Sequence, residues 1–581
     1  MTDKIKHHAY LFEAKGLQAF LGETGRLIDL IGGSNLIASV ASGQNADDLL
    51  FEVLGEIDPT GEHITPSRRA GAAFCLHSQD LDLLRRFRAA WRLRFGMQIP
   101  GLAFADVLTE GCQDPMEALR RAYRTQSGVR ENGTQSLLPL ARPRSVLQPG
   151  TGRPAISHGD EKGDTALDRT VALIRGHGRE IARGESDDRL SRRFLIDDTA
   201  LDFVFPRQFD LTDAGITNPA FPFPAEDQRI GIVHADISGL GQLFIRLVDT
   251  VTEPEAVMEV ATAIEMVILD ATRAATKTVL EPEAVPRRAL NETWGQAEKQ
   301  FGDIYGPGRN NDQLARVVPA RPVLLGGDDL TMIIRADLAL DFAATFLKEL
   351  EHRSRMTLTG LRKRFPGIKA EVLTACAGIA IVGTGHPYAM ASDIAEGLCD
   401  SAKKECKAEI RERAKADGGK NMHPPVSALQ FAVVTAAIGE SYAEYRAREQ
   451  MSAGGTPLTM GPYRVGDGDS LLPEWETLKA LALSLDRAQG RGKLFDVLGQ
   501  DAIVENQETD DRLQADRAYE RFFKVLETDD PAAFEEVDAN LSAVVGSTAR
   551  PARVDAVPAL ADAMELVDFG AVHSLDQRED K

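Results

Sequence analysis

Asp236 and the adjacent pair Asp328-Asp329 are the side chains of this 581-residue sequence best placed to do chemistry. The pair follows two glycines, as Gly326-Gly327-Asp328-Asp329, and is bracketed by the apolar runs PVLL and TMII. Transfer of a phosphoryl or nucleotidyl group asks for charge compensation rather than covalent chemistry. Two divalent ions about 3.5–4 Å apart can activate an attacking hydroxyl and stabilise a leaving pyrophosphate. Magnesium takes hard oxygen ligands, usually a few carboxylates completed by substrate phosphates. A β-hairpin tip with Gly-Gly before Asp-Asp suits that role, because the glycines tolerate positive φ and admit a phosphate closely. The plain alternative is a solvent-exposed turn, since Gly and Asp are common turn residues.

Three carboxylates so far apart in sequence need a sheet to gather them. IGIVHAD (230–236) has the pattern of a short buried strand ending in an acid, and 254–278 carries apolar residues at helical period. PVLLGG and LTMIIR read as two strands around Asp328-Asp329. Residues 337–354 are expected to be helical, 370–382 a strand and 387–416 a helix. This order, β-α-β-β-α-β, is that of a ferredoxin-like palm, which would set Asp236 beside the hairpin. The stretch from about 425, SALQFAVVTAAIGESYAEYRAREQ, is expected to be helical. Amphipathic helices follow at 474–526, with a less ordered acidic tail after 545.

The length implies several domains. The sequence divides into 1–125, a Pro/Gly/Ser/Arg-rich linker and mixed segment over 126–226, the palm at 227–420, and a helical C-terminal domain at 421–581. A net charge of −21 confines any nucleic-acid contact to a local groove or to partner subunits, since phosphate neutralisation needs basic residues. The arginines of 85–94 read as a solvated helix face around Phe87 and Trp91. Five scattered cysteines without a C-x-x-C pair argue for reduced, buried thiols and against a zinc site. There is no apolar stretch of membrane-spanning length and no apolar signal core, so a cytoplasmic location is expected.

HADISGLGQLF followed by LLGGDDLTMII resembles the cyclase palm of the large polymerase-like subunit of type III CRISPR effector complexes, a family that makes cyclic oligoadenylates from ATP. LTACAGIAIVGTGHPY, the helix ASDIAEGLCDSAKKECK, SALQF and PLTMGPYR resemble further signatures in the family's order. The resemblance implies an α+β chain with two ferredoxin-like palms and a helical C-terminal domain. It implies Mg²⁺ or Mn²⁺ held by Asp236, Ile237, Asp328 and Asp329, with ATP as substrate. It also places Gly326, Gly327, Ser238, Gly239 and Lys403 at the nucleotide, Lys403 as a point charge on the triphosphate.

The N-terminal block resembles the family's first palm and echoes the second: EAKGLQAF from Glu13 against DISGLGQLF from Asp236. Where the second palm has Gly-Gly-Asp-Asp, the first has Ala70-Gly71-Ala72-Ala73, so two carboxylates have become methyl groups. This palm is expected to be silent and to wall the nucleotide site. Its Gly32-Gly33-Ser34 stretch is a candidate contact for a second ATP, with a helix-boundary turn as the alternative. The chain departs from the family in three ways. No HD nuclease domain is expected before the first palm, since His7-His8 is not a His-Asp pair. It has no cysteine cluster between the palms, where Pro149–Pro154 stands. And Ser238 occupies the position of a second acid.

The leading expectation is a cytoplasmic, metal-dependent cyclic oligoadenylate synthase of antiviral defence. Its partners would be guide and target RNA, other type III effector subunits or a second copy of itself. Four alternatives stay open at this point: a standalone cyclic (di)nucleotide synthase, a GTP-using cyclase of the related GGDEF class, a simple mononucleotide cyclase, and a non-catalytic scaffold of a ribonucleoprotein. The hairpin's continuation Asp-Asp-Leu-Thr and the presence of two palms speak against the GGDEF class.

Overall fold

The computed structural model describes residues 6–41, 48–132, 145–158, 166–195, 203–207, 209, 221–223, 227–286, 316–418, 425–435, 441–451, 457–488 and 509–568. The expected linker therefore lies partly outside the described residues, as does most of the polar stretch before 320. Two compact units are present. One joins Met1–Pro222 to Ile237–Met332 and Glu349–Leu373; the other joins Phe223–Asp236, Ile333–Lys348 and Thr374–Lys581.

The first unit begins with β1 (His7–Lys15), α1 (Leu17–Gly22), α2 (Leu27–Ala38) and α3 (Leu49–Ile57). It continues with the hairpin β2 (Ile64–Ala70) and β3 (Ala73–Ser78), then α4 (Leu81–Gln98), β4 (Ala103–Cys112) and α5 (Pro115–Asn132). The strands lie in the order β2-β3-β1-β4, with β1 antiparallel to both neighbours, which is the ferredoxin-like arrangement. Alternation along β1 sends Tyr10 and Phe12 to one face. There Phe12 stacks on Phe74 at 5.3 Å and meets the edges of Trp91 and Phe95 at about 5 Å. Phe87, Trp91 and Phe95 recur at helical spacing on α4, so one stripe of that helix closes the core. The arginine-rich run 85–94 surrounds this stripe as expected, but Arg88 and Arg92 both pair with Asp106, whose side chain is fully buried and also accepts from Tyr10.

Next come β5 (Ala155–His158) and β6 (Ala166–Asp168), paired antiparallel, then α6 (Arg169–Ala182), α7 (Arg189–Phe194) and β7 (Phe203–Val204). α6 packs so closely on α2 that a Cβ on Gly32 would fall 1.8 Å from the Ile174 carbonyl oxygen, and one on Gly178 would fall 2.2 Å from that of Ile28.

The second palm comprises β8 (Arg229–Ile237), α8 (Leu240–Thr250), α9 (Pro254–Ala275), β9 (Val285–Pro286), β10 (Arg316–Val317), the hairpin β11 (Ala320–Gly326) and β12 (Asp329–Arg335), α10 (Ala336–Arg364), β13 (Ala375–Gly383) and α11 (Tyr388–Ala416). Its sheet reads β11-β12-β8-β13 and continues into β14 (Ser427–Val434) and β15 (Tyr463–Val465). The first four strands repeat the order of the first palm: hairpin edge, hairpin inner strand, first strand, last strand. The expected β-α-β-β-α-β element order is present in both.

Two expectations are corrected. Residues 427–434 form a strand, not a helix, and run parallel to β13 from Cys376↔Ala428 to Val382↔Val434. The run SALQFAVV is apolar on both faces, a pattern that fits a strand buried on both faces and a buried helix equally well. The tail after 545 is not unstructured as far as 568: Arg553–Asp568 is a helix that buries Val557, Leu560, Met564 and Leu566. The expected helices at 474–526 are found at Trp475–Arg487 and Thr509–Asp529. All five cysteines are buried and free. Among the described residues no helix is long and apolar enough to cross a membrane.

Candidate active site

β11 and β12 are apolar and buried up to the tip, where the chain turns polar. Gly326, Gly327 and Asp329 are half-buried and Asp328 is exposed. Gly327 has φ +64°, a conformation that disfavours any side chain, and open space lies where its Cβ would be. A phosphate could approach there. Gly326 answers to a different demand, since its Cβ would lie 3.0 Å from the Cα of Gly71 in the first palm's hairpin. The tip of the first palm's hairpin thus abuts the tip that carries the aspartates.

The two hairpins repeat each other at the level of single hydrogen bonds. The amide of Ala14 donates to the Ala72 carbonyl at 2.9 Å, and that of Ile237 donates to the Asp328 carbonyl at 3.0 Å. Gly71 has φ +59°, matching Gly327. Glu13 faces Ala73 in the β1–β3 ladder, so the first palm keeps an acid on its first strand and lacks the hairpin pair. Glu13 is held by Lys15 at 2.6 Å and by Gln126. Arg68, two residues before the first hairpin's Ala70, lies 4.5 Å from the Phe244 ring centroid. Burial opposes its charge, but Tyr123, Glu13 and Asp328 outweigh that and raise its pKa. Arg68 thus brings positive potential to Asp328. Sequence reasoning missed it, because nothing in SRRAGAA marks one arginine as inward-facing.

In the second unit Asp236 is half-buried near the end of β8 and keeps about a quarter of its side-chain surface exposed. Its carboxylate pairs directly with the ammonium of Lys403. Lys403 sits on α11, which lies tight against β13: a Cβ on Gly378 would fall 1.9 Å from the Ala395 carbonyl oxygen. Burial opposes the lysine's charge, yet Cys399 and Asp236 outweigh it and hold its pKa above the ordinary value. His234 is lowered to about 4 by burial and by Lys403, so it is neutral at pH 7. Burial, with Asp400 and Asp393 nearby, raises Glu396. Lys403 therefore stands in an acidic neighbourhood beside the expected metal ligand.

Ser238 is half-buried and Gly239 exposed. Gly239, at φ +77°, is the N-cap of α8, so the segment after the acid leads into a helix N-terminus whose free amides favour anions. Gly33 and Ser34 lie inside α2, not in a turn. Gly33 is accounted for by packing, since its Cβ would meet Leu21 at 2.9 Å. Ser34 is buried, and its hydroxyl has no hydrogen-bond partner among the described residues. It lines a cavity of about 10 Å³ with Gly71, Leu325, Gly326 and Arg193, room for about one water.

No three His, Cys, Asp or Glu side chains converge into a ready cage among the described residues. The donors suit magnesium all the same, because that ion is commonly held by one or two carboxylates with phosphates and waters completing the shell.

No protein-family model matches the chain, and no curated protein does. Its structure is similar to that of a Csm1-Csm4 cassette in complex with cA4, at 14% identity and a TM-score of 0.46, over 98% of this chain and 70% of that one. It is also similar to the cassette in complex with one ATP, at 14% identity and a TM-score of 0.41 over the same shares. Csm1 of T. onnurineus is a third similar structure, again at 14% identity, a TM-score of 0.41 and the same coverage.

Proposed function

We propose that this chain is a metal-dependent nucleotidyltransferase that joins ATP molecules through 3′–5′ linkages into a cyclic oligoadenylate, as a member of the type III CRISPR polymerase/cyclase family that its motifs resemble. The observation that carries the reading is the pair of matching hairpins, of which only one bears carboxylates. A hairpin kept merely as a turn has no need of Asp328 and Asp329, as Ala72 and Ala73 show in the other.

Asp236, the Ile237 backbone, Asp328 and Asp329 would hold Mg²⁺, which supplies charge neutralisation at the attacked phosphate and the departing pyrophosphate. Gly327, with open space at its Cα, lets the phosphates approach the hairpin. Ser238, Gly239 and the α8 N-terminus offer donors to phosphate oxygens. Lys403 leaves Asp236 for the triphosphate and compensates its charge. The 3′-hydroxyl of one nucleotide gives its proton to solvent and attacks the α-phosphorus of the next. The Pα–O–Pβ bond breaks, a 3′–5′ phosphodiester forms and pyrophosphate leaves; the same attack by the last 3′-hydroxyl on the first nucleotide's α-phosphorus closes the ring. The first palm contributes no ligand carboxylate at its hairpin and walls the site, with Ser34 behind Gly326. Guide RNA and other type III subunits are the proposed partners, and co-purification tests them.

The test is incubation of the purified chain with each labelled nucleoside triphosphate in turn, comparing wild type with Asp328→Ala/Asp329→Ala. ATP should be consumed by the wild type alone. Conversion that persists in the double variant sinks the assignment.

A further inference from the structure

The edge strand β11 ends at Gly326 and the turn opens with Gly327, and two glycines in succession cannot by themselves fix the direction of the tip that follows. Among the described residues β11 is the outermost strand of its sheet, so carbonyls that face away from β12 have no strand partner there. Something else must hold it.

The short helix α7 does so at two points. At its start, Asp188 caps the helix through the Ser191 amide at 3.3 Å and takes both arms of the Arg321 guanidinium, at 2.7 and 3.1 Å. Arg321, on β11, is completely buried. Asn35 of α2 joins this end by donating to Asp188 at 3.2 Å and accepting from the Leu190 amide at 3.3 Å. At the helix's other end, Arg193 donates one amino group to the Leu325 carbonyl at 3.2 Å and the other to Glu265 of α9 at 2.8 Å. Its own carbonyl accepts from Arg273 at 2.9 Å. Leu325 is the residue just before Gly326-Gly327.

A buried ion pair is a poor way to gain stability, because desolvation cancels most of the attraction and an apolar pair of similar size does as well. What a guanidinium adds is direction: planar, fixed donors that can hold a carboxylate and a carbonyl at once. We infer that Arg193 is a positioning residue for the Asp328-Asp329 tip, oriented by Glu265, and that α7 is the brace through which the segment between the palms sets the hairpin's geometry. This rests on the nucleotidyltransferase reading for its consequence in catalysis, though not for the brace itself.

The test uses the full chain. Removing Arg193 alone would strand Glu265 as a buried charge and confuse lost positioning with unfolding, so the variant is Arg193→Met/Glu265→Met, with Arg193→Lys beside it. Amide hydrogen exchange is followed in peptides covering 325–331, together with thermal unfolding and the kinetics of ATP conversion. The double variant should unfold within a few degrees of wild type, while exchange at the tip speeds up tenfold or more. The turnover rate should fall at least tenfold with KM for ATP within twofold. Arg193→Lys, which keeps a charge for Glu265 but loses the fork, should also loosen the tip. Unchanged exchange at 325–331 in the double variant overturns the brace. A wild type that makes no nucleotide product instead defeats the proposed function and leaves the exchange result standing.

Discussion

Replacing Gly71 with alanine, in the hairpin that carries no aspartates, should damage the hairpin that does. At φ +59° an alanine pays about 1–2 kcal/mol for the left-handed backbone. The new Cβ would lie 2.6 Å from the Gly327 amide nitrogen and 2.9 Å from the Gly326 carbonyl carbon. Both are backbone atoms and cannot swing aside, so overpacking adds about 1–3 kcal/mol. The matched control is Gly61→Ala, at φ +69° with open space around the new methyl, which carries the backbone cost alone. Urea unfolding of the two variants should therefore separate them by about 1–3 kcal/mol. Under the proposed function a tip moved by about half an ångström would also lose the geometry needed to hold a metal, so ATP conversion by Gly71→Ala should fall roughly 10- to 100-fold. Gly61→Ala should keep it. Equal stability and equal activity of the two variants would refute the contact between the hairpin tips.

Gly32→Ala should destabilise by about 3 kcal/mol or more in urea, because its Cβ would fall 1.8 Å from the Ile174 carbonyl oxygen. Ser34→Ala should shift stability by less than about 1 kcal/mol, since its hydroxyl gives up no partner. Asp106→Ala leaves Arg88 and Arg92 without their shared counter-charge and should cost about 3 kcal/mol by the same measurement. Asp562 is raised to about 6 by burial, although Tyr463, Met460 and Thr459 donate to it. A carboxyl raised from 3.8 to about 6 favours folding below pH 4 and loses that contribution as pH rises through 6, about 3 kcal/mol in all. Relative to Asp562→Asn, the wild type should lose that much stability between pH 4 and pH 7. A parallel pH profile of the two proteins would contradict this.

The placement of the acidic and glycine positions on strand and hairpin was the most legible part of the sequence, because apolar strands and glycine turns announce themselves in a short window. The GGDD turn, the acid at 236 and the Ala-Gly-Ala-Ala at 70–73 each fell where the pattern placed them on strand and hairpin. Packing was less legible. Gly32-Gly33-Ser34 looks the same in sequence whether its glycines cradle a phosphate or let α2 pack closely, and the approach of Gly32 to the Ile174 carbonyl and of Gly33 to Leu21 is visible only in the fold. SALQFAVV carries no periodicity that separates a buried strand from a helix, and its place beside β13 settles the matter. Arg68 and Arg193 could not be told from surface arginines, since what distinguishes them is burial against Phe244 and against Glu265 and Leu325.

The proposed function requires that the second palm make a cyclic oligoadenylate from ATP. Mass spectrometry of the products formed by the purified chain with ATP and Mg²⁺, with and without added RNA, tests it most directly. Cyclic adenylates joined 3′–5′, present with wild type and absent with Asp328→Ala/Asp329→Ala, are the predicted result. No adenylate product under either condition, or the same product from the double variant, would contradict it.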